Sequence, residues 1–400
     1  MDTLQTIDLD GGQATSLLPV ELVDQILLRA DAENASDVHL VPYEDGLLVR
    51  LRIDGVVRDV QTVPAAQTAG VLARVKIIAK LDIAEQRKPQ DGRFSITLGG
   101  RDLDIRVAIL PSVRGEGAVL RMLSSDPSAP TLTELGLEKA MQMQLEEIVQ
   151  RGMGALLVTG PTGSGKSTTL HAVLADAARP DINVITVEDP VEYRLPRAFQ
   201  IQLNPRIGVT FASALRSVLR SDPDVIMIGE IRDEETAQIA VSAALTGHFV
   251  LSTLHTNDAP TALSRLNEMG VEPFVTGSAV TAVLAQRLVR RLCVECREEH
   301  VVDAAQLVEL GFPADTAMDG RTLYRRRGCD ACSRGYRGRV GVFQLMVMDD
   351  DLRRLTIADA PTADLERVAL AHGMRTLWDD GLTKVTSGLT SIEELHRVVR

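Results

Sequence analysis

Nine consecutive residues, Gly160-Pro161-Thr162-Gly163-Ser164-Gly165-Lys166-Ser167-Thr168, form a glycine-rich turn closed by a lysine and hydroxyls. Glycines let backbone N–H groups wrap a phosphate chain; Lys166 would reach the β- and γ-phosphates, and the Ser167 hydroxyl would ligate Mg²⁺. Three polar signatures follow: Glu188-Asp189-Pro190-Val191-Glu192-Tyr193, Gly229-Glu230-Ile231-Arg232-Asp233, and Thr246-Gly247-His248 through His255-Thr256. Asp224 precedes the apolar run Val225 to Ile228 and Glu230 follows it. A carboxylate at a strand end beside such a loop can hold the Mg²⁺ shell or position water. One of Glu188, Asp189 and Glu192 is a candidate to orient or deprotonate that water. His248 and His255 flank an apolar run at an odd separation, which puts their side chains on opposite faces and gives them different roles. A lone histidine of this kind is more often a hydrogen-bonded core residue than a catalyst.

All four cysteines belong to one arrangement, Cys293-x-x-Cys296 and Cys329-x-x-Cys332. Paired C-x-x-C knuckles supply four thiolates for tetrahedral Zn²⁺ at about 2.3 Å. The stretch between the knuckles is longer than the usual ~15–20 residues, so the site would enclose a subdomain. Four thiolates leave no open position for water, which makes the zinc structural. A dithiol redox pair, unrelated free thiols and an iron–sulfur cluster are the alternatives.

The chain that must position these groups has 400 residues, 45% hydrophobic and 24% charged, enough to bury the cores of two or three domains. Aromatics are only 3%, so those cores are aliphatic. A net charge of -12 argues against a general polyanion binder such as a nucleic-acid protein. The local runs Arg290-Arg291 and Arg325-Arg326-Arg327 read instead as sites for a local acidic partner. Met1-Asp2 opens no basic, apolar leader. The most apolar long stretch, Gln238 to Leu254, is interrupted by Gly247 and His248 and is short of the ~20 residues of a membrane span. A cytosolic protein that meets the membrane through a partner is expected.

Residues 1–17 are polar and read as flexible. Residues 18–123 read as a small α+β domain. Leu18 to Asp31 is amphipathic; Leu47, Val49, Leu51 and Ile53 alternate into an Asp54-Gly55 hairpin turn. Val71, Val75, Ile78 and Leu81 recur at helical spacing. A second hairpin turns at Gly99-Gly100, and residues 124–130 form a Ser/Pro-rich linker. From 131 onward, the short apolar runs Ala155–Thr159, Val184–Val187, Val225–Ile228 and Phe249–Thr253 alternate with helical stretches. That pattern implies a parallel sheet flanked by helices, with ligands at the strands' carboxyl ends.

Further segments lie in register with these motifs: Asp82-Ile83-Ala84-Glu85, Pro89-Gln90-Asp91-Gly92-Arg93, Gly270-Val271-Glu272-Pro273-Phe274, Ala285-Gln286-Arg287-Leu288 and Gly335-Tyr336-Arg337-Gly338-Arg339. Together they make residues 18–400 resemble the secretion and pilus-assembly ATPases, the cytoplasmic motors of type II secretion systems and type IV pili (general secretory pathway protein E-like). The resemblance implies an α/β fold: a small PAS-like N-terminal domain, a RecA-like P-loop core over 131–289, an inserted zinc subdomain over 290–340 and a C-terminal helical subdomain over 341–400. It implies a homo-hexamer at the inner face of the cytoplasmic membrane, using ATP, Mg²⁺ and Zn²⁺. ATP would sit on Gly160 to Thr168 between the two main domains, reached by Arg93 and Arg106. Glu192 matches the proposed base, Glu230 the Walker B glutamate, His248 and His255 the histidine box, and Arg216 and Arg220 arginines near subunit contacts. Hydrolysis would turn an inner-membrane platform protein that assembles a pseudopilus or a pilus, with no nucleic acid involved. Gly117 stands where the family usually has a basic or polar residue. The rival readings are a pilus retraction motor, whose branch generally lacks the four cysteines, a RecA-fold nucleic-acid translocase and a weakly hydrolysing scaffold. On the secretion reading, ATP turnover is unchanged by added duplex DNA; strong stimulation overturns it.

Overall fold

The structure is a computed structural model describing residues 17–98, 101–124, 130–314 and 320–399. The Gly99-Gly100 turn, residues 125–129 of the 124–130 linker and all but the last residue of the N-terminal stretch 1–17 lie outside the described residues. The chain divides into two compact units, Met1–Asp126 and Pro127–Arg400.

The first unit opens with α1 (Pro19–Ala32), whose Leu22, Val23, Ile26, Leu27 and Ala30 make one buried stripe. Pro19 suits the first helical turn, and Glu21 reaches back to accept the Leu18 N–H at 2.8 Å. Strands β1 (Ala35–Tyr43), β2 (Gly46–Ile53) and β3 (Val56–Pro64) follow, then α2 (Ala65–Ile78), β4 (Gln90–Leu98), β5 (Arg101–Ser112) and β6 (Gly115–Ser124). They form an antiparallel sheet in the order β3-β2-β1-β6-β5-β4. The β2–β3 turn uses Asp54 and Gly55, both with positive φ, as a tight hairpin demands. Gly117 has a steric cause: a Cβ there would come within 2.9 Å of the Leu40 carbonyl on neighbouring β1. Arg93 and Arg106 face each other directly across the β4–β5 ladder, both exposed.

The second unit begins with α3 (Lys139–Arg151), β7 (Gly154–Thr159), α4 (Lys166–Ala177), β8 (Val184–Glu188), β9 (Ala198–Gln202), α5 (Phe211–Val218) and β10 (Val225–Ile228). It continues through α6 (Glu234–Leu245), β11 (Phe249–Leu254), α7 (Ala259–Glu268), α8 (Pro273–Ala279) and β12 (Val280–Leu292). The sheet order is β15-β12-β7-β11-β10-β8-β9, parallel throughout except for β15 (Tyr336–Val347). Every residue of β7, β8, β10 and β11 is buried, as strands covered on both faces require.

Between β12 and β15 the chain leaves the sheet for β13 (Glu298–Val302), α9 (Ala304–Glu309) and β14 (Arg321–Arg325), with β13 and β14 paired as an antiparallel ribbon. The chain ends in α10 (Asp350–Ile357), α11 (Thr362–Ala371), α12 (Leu377–Thr386) and α13 (Ile392–Val399). The expected boundaries at 290 and 341 both fall inside strands. β12 and β15 pair from Ala282↔Val347 out to Leu292↔Tyr336, so the insert is an excursion between two neighbouring strands of the core sheet.

Helix α13 is clamped to β12 by Glu394, whose side chain is fully buried. It accepts from the Arg290 N–H at 3.0 Å, from Arg290 Nη2 at 2.7 Å and from Arg397 Nε at 2.8 Å. Burial alone would push this carboxyl up, but the Arg397 and Arg290 hydrogen bonds prevail and hold it at about 2, against an ordinary 4.5. A carboxyl depressed in the folded state stabilises above its unfolded pKa and loses that contribution as the pH falls. The difference in urea-unfolding free energy between wild type and Glu394→Gln therefore shrinks by about 2 kcal/mol between roughly pH 5 and pH 3. A pH-independent difference would show that the clamp carries no charge linkage.

Candidate active site and metal centre

β7 ends at Thr159 and the chain turns through residues 160–165 into α4. Gly160, at φ 151°, packs so closely on β12 that a Cβ would sit 2.5 Å from the Gln286 carbonyl. Gly165, at φ 86°, caps α4 in the left-handed region, where glycine is the default residue. Gln286 is buried beneath the loop and accepts from Thr169 Oγ1 at 2.7 Å. The tip residues Pro161, Thr162 and Gly163 are exposed. Lys166 folds back on its own loop, donating to the carbonyls of Gly160 at 2.8 Å and Pro161 at 3.1 Å. The buried Ser164 hydroxyl has no hydrogen-bond partner. An open tip, an orphaned buried hydroxyl and a cation held only by loop carbonyls fit a polyphosphate chain.

The parallel register carries other groups to the same edge. Leu254 of β11 pairs with Thr159 of β7, so His255 leaves the sheet beside the loop. Thr159 Oγ1 and Thr256 Oγ1 lie 2.7 Å apart, tying the two strand ends together. Glu230, just beyond β10, lies 2.7 Å from Arg232 Nε and 3.3 Å from His255 Nε2. Its charge also acts on Lys166, whose pKa burial lowers to about 8, with Arg287 lowering and Glu230 opposing.

At the end of β8, Glu188 is only 3% exposed and fully engaged. One carboxylate oxygen accepts from Thr186 Oγ1 at 2.6 Å and Gln200 Nε2 at 3.0 Å; the other meets His171 Nε2 at 3.0 Å. His171 Nδ1 in turn lies 2.8 Å from the Ser167 carbonyl. Burial works against both charges. The carboxylate nonetheless holds the imidazole above its usual pKa, and the imidazole holds the carboxyl below its own. Glu192, four residues on, is exposed and makes no hydrogen bond or ion pair among the described residues. His171 was not found from sequence. Its one signal is a polar residue one helical turn beyond Ser167, on the buried face of α4.

Two expectations need correction. His248 precedes Phe249, which pairs with Gly154, the first residue of β7. It therefore stands at the opposite edge of the sheet from the P-loop, a full strand of 6 residues or about 20 Å away. Its Nδ1 lies 3.1 Å from the Ala243 carbonyl, closing the end of α6, so within the chain it is no partner of His255. Asp224 likewise lies at the amino end of β10, where it accepts the Asn183 N–H at 2.7 Å, far from any Mg²⁺ shell at the loop. Arg216 is ion-paired to Glu235, and Arg220 donates to the Arg216 carbonyl at 2.6 Å. Arg93 and Arg106 belong to the first unit and have no ion pair there among the described residues.

The four cysteine sulfurs lie within 4.8 Å of one another, with Cys293–Cys329 at 3.9 Å, Cys296–Cys332 at 3.7 Å and Cys329–Cys332 at 3.6 Å. A tetrahedron of ~2.3 Å metal–sulfur bonds has edges of about 3.8 Å. Backbone N–H groups of Gly328, Cys329 and Gly335 donate to these sulfurs, each at 3.3 Å, as thiolates in a metal site require. The donor set and its geometry fit a four-thiolate metal ion.

A phosphate chain beside Lys166 would raise its pKa back toward the ordinary 10.5. The Lys166 contribution to triphosphate binding is therefore an uptake of about half a proton per site at pH 8, shrinking as the pH falls. Calorimetry in buffers of different ionisation heat reads this directly; heats independent of buffer at pH 8 would contradict it.

The Type II/IV secretion system protein family matches residues 13–397. Type II secretion system protein E of Pseudomonas aeruginosa is 48% identical over 382 residues, covering 95% of this chain and 75% of that protein. The type IV pilus assembly ATPase PilB of Thermus thermophilus is 46% identical over 376 residues, 94% of this chain and 42% of that protein. Among solved structures, the pilus retraction motor PilT with bound ADP superposes with a TM-score of 0.62 at 25% identity, covering 96% of this chain and 97% of that one. The Legionella pneumophila ATPase DotB, at 21% identity and a TM-score of 0.69 over 96% of each chain, shares the fold. The chain thus belongs to the Type II/IV secretion system protein family and is one of its ATPases, hydrolysing ATP to drive secretion or pilus assembly.

Proposed function

We propose that this chain is a ring-forming motor, a homo-hexamer that acts at the inner face of the cytoplasmic membrane on a platform protein and powers assembly of a pseudopilus or pilus. The observation that carries the reading is the convergence of Lys166, Glu230 and His255 at the carboxyl ends of β7, β10 and β11. Secretion or assembly is favoured over retraction because the type II secretion system protein E and the pilus assembly ATPase are 48% and 46% identical, against 25% for the retraction motor.

In this reading the N–H groups of residues 160–165 and the Ser164 hydroxyl hold phosphate oxygens, and Lys166 supplies a cation to the β- and γ-phosphates. The Ser167 hydroxyl would hold Mg²⁺, which shields phosphate charge when bound. Glu192 is the candidate base, because Glu188 spends its lone pairs on Thr186, Gln200 and His171 while Glu192 keeps its own free. His255 and Arg232 orient Glu230.

Steady-state turnover of the assembled oligomer tests these roles. Lys166→Ala and Glu230→Ala each lower kcat by roughly 100-fold or more, and Glu192→Gln does so with KM for ATP retained. Negligible turnover in the assembled wild type would favour a nucleotide-gated scaffold instead.

We assign the four-cysteine site to structural Zn²⁺, since four sulfurs leave no open position for chemistry. Elemental analysis should find about one zinc per chain, and Cys329→Ser should lose it and make residues 290–340 protease-sensitive. A metal-free protein with a fully protected insert would sink the assignment.

A further inference from the structure

The hydrolysis reading leaves one buried imidazole of the P-loop helix without a task. His171 is 1% exposed and lies between two acceptors, the Ser167 carbonyl at 2.8 Å and a Glu188 carboxylate oxygen at 3.0 Å. Neither partner can donate, so the ring donates at both ends. Glu188 passes the connection on through Gln200, which donates to the Glu188 carboxylate at 3.0 Å and to the Tyr193 carbonyl at 2.9 Å. The same Gln200 side chain accepts the Leu195 N–H at 2.8 Å. The Tyr193 ring also lies 5.1 Å from the imidazole, tilted by 55°. The turn that carries Glu192 is therefore anchored before it at Glu188 and after it at Tyr193 and Leu195, and both anchors lead to His171. Among the described residues Glu192 itself makes no hydrogen bond or ion pair.

We propose that His171 is a positioning residue for hydrolysis, locking the helix that presents Lys166 and Ser167 to the turn that presents Glu192. The phosphate-binding loop and the water-orienting carboxylate then move as one body. The inference rests on the ATPase reading and adds to it a rigid link inside one subunit. A histidine with a purely structural role would hold the P-loop helix in place and serve nucleotide binding and turnover alike. A positioning residue serves turnover alone, because the loop's own contacts, Lys166 on Gly160 and Pro161 and Thr169 on Gln286, do not pass through His171.

The test compares full-length wild type, His171→Ala and His171→Gln in the assembled form. It reads kcat, KM for ATP and affinity for a fluorescent non-hydrolysable ATP analogue. His171→Ala should lower kcat about 10–100-fold, the cost of roughly an ångström of misplacement, while KM and analogue affinity stay within about threefold. His171→Gln keeps an N–H donor toward Glu188 and should recover part of the loss. Unchanged kcat overturns the proposal, as does a parallel loss of analogue affinity and kcat in both variants. Where His171→Ala does not fold, His171→Gln alone decides by the same criteria. Absent turnover in the wild type refutes the ATPase reading instead, and this inference with it.

Discussion

The parallel register of β7, β8, β10, β11 and β12 is the constraint on which the site depends. Each ladder places corresponding residues side by side: Thr159 with Leu254 and Ala285, and Ile228 with Val187 and Ser252. The loops after those residues must then open on one edge. A slip of one residue in any ladder would turn the strand's buried set to the wrong layer, and β7, β8, β10 and β11 are buried on both faces. Packing energy therefore holds the catalytic geometry, and the loops inherit their positions from it.

Several buried charges are paired, and those pairs fasten elements together. Lys76 of α2 bonds Glu116 of β6 at 2.8 Å, and Lys384 and Asp380 pair at 2.5 Å while Asp380 also accepts the Phe343 N–H of β15 at 2.8 Å. Glu394 does the same between α13 and β12. An ion left alone at such depth costs several kcal/mol, so each pair strongly disfavours separation of the elements it joins. The His171–Glu188 pair follows the same rule at the place where separation would matter most for chemistry.

The insert shows how a small segment is stabilised away from a large core. Its Val302, Leu307, Phe312 and Leu323 share an apolar cluster with Leu377, Leu382, Val385 and Leu395 of α12 and α13. One end of the insert is thus docked on the C-terminal helices. At the other end the four cysteine sulfurs gather within 4.8 Å of one another, where a bound metal ion would cross-link the two knuckles.

The sequence by itself determined what local spacing can encode. The P-loop, the paired cysteine knuckles, the Asp54-Gly55 hairpin and the four buried strands are readable because each depends on neighbours within a few residues. The strand expectations Ala155–Thr159, Val184–Val187, Val225–Ile228 and Phe249–Thr253 match the observed β7, β8, β10 and β11 to within a residue. Only the tertiary structure decided which end of a strand a polar residue occupies relative to the loop. From the chain, His248 and His255 differ by sheet face, yet it is the direction of β11 that sends His255 to the P-loop edge and His248 to the far side. The same holds for Asp224 and Glu230 about β10. The cysteine spacing implies an inserted subdomain, but the pairing of β12 with β15 on either side of it was hidden, because strands separated by the whole insert pair through backbone hydrogen bonds that carry no local pattern. His171 was hidden for a related reason: its partner Glu188 is distant in sequence, and only folding brings an imidazole and a carboxylate to 3.0 Å.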